Sequence, residues 1–150
     1  MRQMATRSYI DTLRELTEQG REVRLPIAGG SMVPFLVHNR DSVLLRKPDR
    51  PLKVGDIVLY QRRDGRYVLH RIRRIRQEGY YLIGDAQRET EGPLDREQIF
   101  ALVIGACRKG RQIGPGDFWW EFFAKVWIRM VPLRRFFIRS YTVWKGGSHG

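Results

Sequence analysis

Short runs rich in Val and Ile alternate with turn residues between positions 22 and 108, and this pattern limits the fold more than any other feature of the chain. Val and Ile favour strands, whereas Gly, Pro, Asp and Asn favour the turns between them. The Asp64-Gly65 pair between two apolar runs is typical of a hairpin. Closely spaced short strands predict a mainly β fold, as a small barrel or a folded sheet. Six strands are predicted, at residues 22–27, 42–46, 56–61, 67–75, 80–83 and 99–107.

Helices are predicted on either side of this β-rich region. Residues 6–19 carry apolar side chains at helical spacing, and Gly20 is a typical stop. Gly-Pro-Gly at residues 114–116 marks the start of a new element. We therefore expect a domain at residues 1–113 and a helical tail at residues 114–150. The apolar face of the first tail helix comprises Trp119, Phe122, Phe123, Val126, Trp127 and Met130, and that of a second helix after Pro132 comprises Leu133, Phe136, Phe137, Tyr141 and Trp144.

Composition excludes several classes of protein. A length of 150 residues with 42% hydrophobic residues is enough for a core, and a single Cys excludes an intrachain disulfide. No run of about 18 uncharged apolar residues is present, so no conventional transmembrane helix is expected. The first residues lack the apolar stretch of a signal peptide. The formal net charge of +12 points to an anionic partner: nucleic acid, a lipid surface or an acidic substrate.

The positive charge is concentrated in the last third of the chain. Residues 101–150 hold nine basic and two acidic side chains, a net charge of +7, together with all four Trp. Aromatic residues on one helix face and cations off it are typical of a helix lying in the headgroup plane of an anionic membrane. We therefore expect residues 118–144 to contact a membrane surface. The alternative is that these helices pack on the core of the chain itself.

Nucleic-acid binding is a further hypothesis, because four arginines follow one another closely in and just after the fourth predicted strand: Arg71, Arg73, Arg74 and Arg76. Arg71 and Arg73 are expected to share the solvent face of this strand, so the run can equally be a solvated strand edge with no binding function. No nucleic-acid-binding motif accompanies them, so a nucleic-acid partner is not expected.

Ser31 is the first candidate for chemistry. It follows Gly29-Gly30, which allow a sharp turn and a close approach of the backbone to a substrate, and it precedes Pro34. A serine needs a base, and His70 is a candidate on a strand face shared with Val68 and Ile72. The plain alternatives are a Gly-Gly-Ser turn and a core histidine.

A catalytic histidine also needs a carboxylate that orients it, and Asp85 and Asp95 are both candidates. Either could equally cap a strand or form a turn. The single Cys and the scattered histidines lack the spacing of a zinc site, and no Gly-rich phosphate loop is present. We therefore predict no metal and no cofactor.

Taken together, these motifs resemble those of type I signal peptidases. The resemblance covers roughly residues 24–108 and is closest to the branch that uses a Ser-His pair, as in endoplasmic-reticulum and archaeal enzymes, with LexA-like peptidases as distant relatives. The motifs, in order, are Ser31-Met32-Val33-Pro34, Gly55-Asp56-Ile57-Val58, Val68-Leu69-His70-Arg71-Ile72, Gly84-Asp85-Ala86-Gln87, Asp95 and Val103-Ile104-Gly105.

The resemblance implies a role for each candidate. Ser31 is the nucleophile, and His70 is the base where bacterial and LexA-like relatives use a lysine. Asp85 matches the first acidic residue of the family and Asp95 the later one. The interval between them is longer here, so the choice stays open; we favour Asp95 as the orienting acid with Asp85 in support. The candidate substrate-binding residues are Gly30, Met32 and Pro34.

The implied fold is the folded β-sheet catalytic domain of that family, and the implied activity is that of a serine endopeptidase. It would cleave a leader or signal-like segment from a peptide bound extended along a strand edge. The alternative is a catalytically silent module that binds a peptide or a protein partner on the same fold. Signal peptidases usually carry a transmembrane anchor, which is not seen here. We therefore expect a peripheral membrane protein on the cytoplasmic side.

Overall fold

The structure is a computed structural model that describes the backbone of residues 2–130 and the side chains of residues 8–130. Over this part of the chain the fold is mainly β, as predicted, with eight strands in one antiparallel sheet. The strands are β1 (Val23–Pro26), β2 (Ser42–Arg46), β3 (Ile57–Gln61), β4 (Tyr67–Arg76), β5 (Gly79–Ile83), β6 (Glu91–Leu94), β7 (Ile99–Arg108) and β8 (Arg111–Ile113).

The order of the strands in the sheet is β1-β2-β7-β3-β4-β5-β6, and β8 pairs with β7. The six predicted strands are confirmed, and their ends shift by at most one residue. The hairpin between β3 and β4 is also confirmed, with Gly65 at φ 91° in its turn. The pattern did not predict β6 or β8. β6 contains Gly92-Pro93, which reads as a turn, and β8 is only three residues long.

Side chains of the central strands alternate between two apolar clusters. Leu59 of β3 and Leu69 of β4 lie on the side that we call the helix face, because Ile10 and Leu13 of the N-terminal helix pack into the same cluster. Val58 and Tyr60 of β3 lie on the opposite side, the reverse face, where they join the second cluster. Both faces of the sheet are therefore covered with side chains.

The N-terminal helix α1 (Arg2–Glu18) begins earlier than the predicted start at residue 6. Ile10 and Leu13 are buried, as their spacing predicts. Gly20 has a φ of 84° just after the helix end, and its N–H donates to the carbonyl of Thr17. This left-handed position suits glycine, so Gly20 ends the helix as expected.

The described part of the predicted tail is an irregular helical segment: α2 (Phe118–Glu121), a π-helical stretch (Phe122–Val126) and a 3-10 turn (Trp127–Arg129). Phe123 and Trp127 are buried in the core, but Trp119 is 49% exposed. Trp119 and Val126, which is also exposed, therefore do not share the buried face of Phe123 and Trp127. The wider π-helical turn changes the angle between successive side chains, so the 3.6-residue spacing does not hold. The second predicted helix lies outside the described residues.

Candidate active site

The loop that carries Ser31 connects β1 to β2 and is tied to the end of β5. The carbonyl of Ser31 accepts a hydrogen bond of 2.8 Å from the N–H of Ala86. A Cβ added at Gly84 would lie 2.5 Å from that same carbonyl oxygen, so only glycine permits this close approach. The N–H of Gly29 donates to Nδ1 of His38 at 3.0 Å. These contacts hold the loop against the sheet.

Ser31 lines an open cleft of about 600 Å³ on the helix face. We call it the Ser31 cleft. Its walls are mostly apolar and come from β1, β3, β4 and α1, with Leu25, Ile27, Leu59, Leu69 and Tyr9 among the lining residues. The Ser31 side chain is half-buried. Neither its hydroxyl nor its backbone N–H makes a hydrogen bond to any described residue.

Two strand edges border the Ser31 cleft. Residues 67–70 of β4 pair with β3 on one side, whereas pairing with β5 on the other side begins only at Arg71. β1 pairs with β2 alone. Within the described residues, both edges therefore lack a partner strand. Unpaired backbone N–H and C=O groups along such edges can bind another extended chain. On β1, the carbonyl of Arg24 already accepts a hydrogen bond from the Tyr9 hydroxyl at 3.3 Å.

His70 lies on the reverse face of β4, opposite to Leu69. It pairs with Val58 of β3, and its Nδ1 is 3.1 Å from the hydroxyl of Tyr60. Only 3% of His70 is exposed. Burial is the main cause that lowers the pKa of His70 to about 4, while the negative charges of Glu91 and Asp85 oppose the shift. His70 is therefore neutral at pH 7.

Ser31 and His70 do not meet in this structure. Ser31 lines the cleft on the helix face, whereas His70 lines a separate cavity of about 430 Å³ on the reverse face. Among the described residues, no hydrogen bond joins the two side chains. The residue of β4 that reaches toward the Ser31 loop is Arg71, whose guanidinium lies 5.3 Å from the ring centre of Phe35. The alternation expected for His70 is thus present, but it turns the imidazole away from the cleft.

Asp85 is fully buried and forms a bidentate ion pair with Arg71. The Nε and Nη2 atoms of Arg71 donate to the two carboxylate oxygens, each at 2.9 Å. Only 2% of Arg71 is exposed, so the expectation that Arg71 shares the solvent face with Arg73 is wrong. The carbonyl of Asp85 also accepts a hydrogen bond of 2.8 Å from Nε1 of Trp127. Asp85 therefore connects β4 to the helical segment.

Asp95 lies at the surface, at the start of a 3-10 turn (Arg96–Gln98). Its carboxylate is 3.5 Å from Nη2 of Arg63, and both side chains are mostly exposed. Its backbone N–H donates to Oε1 of Gln98 in the same turn at 2.9 Å. No contact between Asp95 and His70 is present in the described part of the chain, so the expected orienting contact does not form here.

A different carboxylate, that of Glu91 in β6, connects to His70 through Tyr60. The Tyr60 hydroxyl donates to Oε2 of Glu91, and Nε of Arg62 donates to Oε1 at 2.6 Å. Sequence reasoning missed all three residues. The hairpin register offered a signal, because His70 pairs with Val58 and the same face of β3 carries Tyr60 two residues further on.

The three residues predicted to bind substrate lie in different places. Met32 is 2% exposed and lines the Ser31 cleft. Gly30 is exposed, with open space around the position of a Cβ. The carbonyl of Pro34 accepts a hydrogen bond from Nη2 of Arg108 at 3.4 Å. Only Met32 of the three is therefore positioned on the wall of the cleft.

No group of three His, Cys, Asp or Glu side chains within residues 8–130 could hold a metal ion. No helix in the described part of the chain is long and apolar enough to cross a membrane. Comparisons with protein-family models, with curated proteins and with solved structures found no match.

Proposed function

We propose that this chain is a serine endopeptidase that binds an extended segment of a peptide or protein in the Ser31 cleft and cleaves it there. We further propose that the antiparallel sheet is a folded sheet of the signal peptidase and LexA type. The order of the sequence motifs supports this assignment, as does the place of Ser31 on the wall of an open, apolar cleft.

The observation that carries the proposal is the pair of open strand edges that border the Ser31 cleft. A peptide strand can add to such an edge through main-chain hydrogen bonds, while pockets between alternate side chains select its residues. The open stretch of β4 is four residues long, at positions 67–70. At a rise of about 3.3 Å per residue, it offers roughly 13 Å of pairing to an extended substrate.

In the proposed reaction, Ser31 Oγ attacks the scissile carbonyl and His70 accepts its proton. The protonated His70 then donates to the leaving amine, and water hydrolyses the acyl-enzyme. The free N–H of Ser31 would stabilise the oxyanion. Because Ser31 and His70 line different cavities, the proposal requires that substrate binding bring Ser31 Oγ to Nε2 of His70.

A peptide library followed by mass spectrometry tests this proposal. We expect the wild-type chain to cut a defined set of sequences, and Ser31→Ala to cut none. Ser42→Ala is the matched control, because Ser42 lies in β2 and receives a hydrogen bond from Arg24. Cleavage that persists in Ser31→Ala would refute the proposal, provided that both variants retain the wild-type circular dichroism spectrum.

The second candidate function is that of a catalytically silent module that binds an extended peptide in the same cleft. The observation that favours it is that Ser31 has no base within hydrogen-bonding distance among the described residues. Binding measured by isothermal titration without any cleavage of the bound peptide would select this alternative. Cleavage that depends on both Ser31 and His70 would select the peptidase.

We also propose an anionic membrane surface as a partner, in a peripheral, cytoplasmic location. The exposed rings of Phe118 and Trp119 support this, together with Lys125, which is exposed in the same helical segment. Rings and cations on one exposed segment are what an interfacial helix presents to anionic headgroups.

A further inference from the structure

A chain of hydrogen bonds lies on the reverse face of the sheet, starts at the half-buried Arg62 and Glu91, and ends at the buried His70. It runs from Arg62 to Glu91, from Glu91 to Tyr60, and from Tyr60 to Nδ1 of His70. Tyr60 is fully buried and His70 nearly so. Hydrogen-bond directions in such a chain can be assigned from the number of hydrogens that each group owns.

The Tyr60 hydroxyl has one hydrogen, which it donates to the carboxylate of Glu91. Glu91 forms a salt bridge with Arg62, whose Nε donates to Oε1 at 2.6 Å, and a carboxylate paired in this way only accepts hydrogen bonds. The Tyr60 hydrogen therefore points to Glu91. The Tyr60 oxygen is then an acceptor toward His70, so the hydrogen between the two residues belongs to Nδ1 of His70.

We propose that Glu91, acting through Tyr60, is the carboxylate that positions His70: it fixes the Nδ1–H tautomer and leaves the lone pair of Nε2 free. The catalytic meaning of this assignment rests on the proposed peptidase function. Glu91 and Tyr60 are positioning residues, because they act on the imidazole of His70 through hydrogen bonds. They hold the tautomer that a histidine needs in order to take a proton at Nε2.

The two aspartates expected in this role are occupied elsewhere. Both carboxylate oxygens of Asp85 bind Arg71, and the carboxylate of Asp95 lies at the surface beside Arg63. Glu91 is therefore the carboxylate with a hydrogen-bonded path to the imidazole.

The surroundings of His70 keep the imidazole neutral, so that a single tautomer can dominate. The charged groups that act on its pKa are Glu91 and Asp85, which raise it, and Arg62, which lowers it. Burial outweighs these charges and keeps the pKa low. The Nδ1–H form is thus expected throughout the neutral pH range.

Nitrogen-15 NMR of the imidazole in the full chain tests the tautomer directly at pH 7. In the wild-type chain we expect Nδ1 of His70 in the range of a protonated nitrogen and Nε2 in the range of an unprotonated one. Tyr60→Phe removes the acceptor for the Nδ1 hydrogen, so both signals should move toward the Nε2–H form. Tyr67→Phe is the matched control, because Tyr67 bonds to Asp11 on the helix face, and it should leave both signals unchanged.

Glu91→Leu provides a second variant, which leaves Tyr60 in place. Without its acceptor, the Tyr60 hydroxyl turns its hydrogen to Nδ1, and His70 should change to the Nε2–H form. Glu89→Leu, at an exposed position beside the same cavity, should not change the tautomer. An Nε2–H tautomer in the wild-type chain, or an Nδ1–H tautomer that survives in both Tyr60→Phe and Glu91→Leu, would overturn the inference. The measurement uses no substrate, so its result is separate from the failure of the peptidase proposal, which the cleavage assay decides.

Discussion

At the residue scale, the buried ion pair between Arg71 and Asp85 stabilises the packing of β4 against the residues that follow β5. Both side chains are out of water, and each satisfies the charge of the other through two hydrogen bonds. Removal of one member leaves an unpaired charge in the interior, which costs far more than the pair contributes as a whole. The pair between Arg63 and Asp95 has no such effect, because water solvates both groups.

Asp85→Ala should therefore lower the free energy of unfolding by about 3–5 kcal/mol, since it leaves Arg71 buried without a partner. Asp95→Ala is the matched control and should lower it by less than about 1 kcal/mol. Urea denaturation of both variants measures the difference. Equal losses in the two variants would contradict the structural role assigned to Asp85.

The low pKa of His70 predicts a pH dependence of stability. In the folded chain burial lowers this pKa from 6.5 to about 4. As the pH falls from 6.5 toward 4, the unfolded chain gains a proton that the folded chain does not, so stability decreases over this range. The decrease due to His70 should reach about 3 kcal/mol and then level off below pH 4. Urea denaturation at several pH values should show this component in the wild-type chain and not in His70→Gln. An identical pH dependence of the two proteins would contradict it.

At the scale of elements, the helical segment after residue 117 packs on the sheet through Trp127 and not through Trp119. Trp127 is buried and donates a hydrogen bond to the carbonyl of Asp85, whereas Trp119 is half-exposed. Phe123 and Trp127 of the predicted tail thus pack on the core, while Phe118 and Trp119 stay exposed.

Trp127→Phe should lower the free energy of unfolding by about 1–3 kcal/mol, because the buried carbonyl of Asp85 loses its donor. Trp119→Phe makes the same change at an exposed ring and should cost less than about 0.5 kcal/mol. Thermal denaturation followed by circular dichroism compares the two. If Trp119→Phe were the more destabilising substitution, the docking of this segment would be wrong.

The elements that the sequence predicted well are those whose residues carry a local signal. The run Ser-Val-Leu-Leu-Arg of β2 is rich in strand formers, and its bounds are as predicted. β6 forms by pairing with β5, and its Gly92-Pro93 sequence predicts a turn, so no local pattern predicts this strand. For the candidate site, alternation placed His70 beside Val68 and away from Leu69, but it could not reveal which face the Ser31 loop would cover. The partners of Arg71 and His70 also come from distant strands, and no local pattern identifies them.

At the scale of the whole molecule, the sheet presents different surfaces on its two sides. The Ser31 cleft opens on the helix face between two strand edges, and the polar chain from Arg62 to His70 occupies the reverse face. The exposed rings of Phe118 and Trp119 add a third surface, where the guanidinium of Arg108 lies 5.7 Å from the ring centre of Trp119.

Binding to anionic lipid should depend on this aromatic surface. The double variant Phe118→Ser/Trp119→Ser should pellet less with phosphatidylglycerol vesicles than the wild-type chain, because its rings no longer insert among the headgroups. Neither protein should pellet with phosphatidylcholine vesicles in physiological salt. Variants of the 150-residue chain suit this test better than a truncation at residue 113, which would remove Phe123 and Trp127 from the core. Equal pelleting of the wild-type chain and the double variant would argue against this surface as the lipid contact.

The central claim, that Ser31 is a nucleophile in a peptide-binding cleft, is tested most directly with a peptidyl phosphonate that labels activated serines. Intact mass and peptide mapping of the full chain measure the adduct. We expect one adduct, on Ser31, that is preserved in Ser42→Ala and lost in both Ser31→Ala and His70→Gln. Absence of an adduct in the wild-type chain, or an adduct that survives in Ser31→Ala, would contradict it.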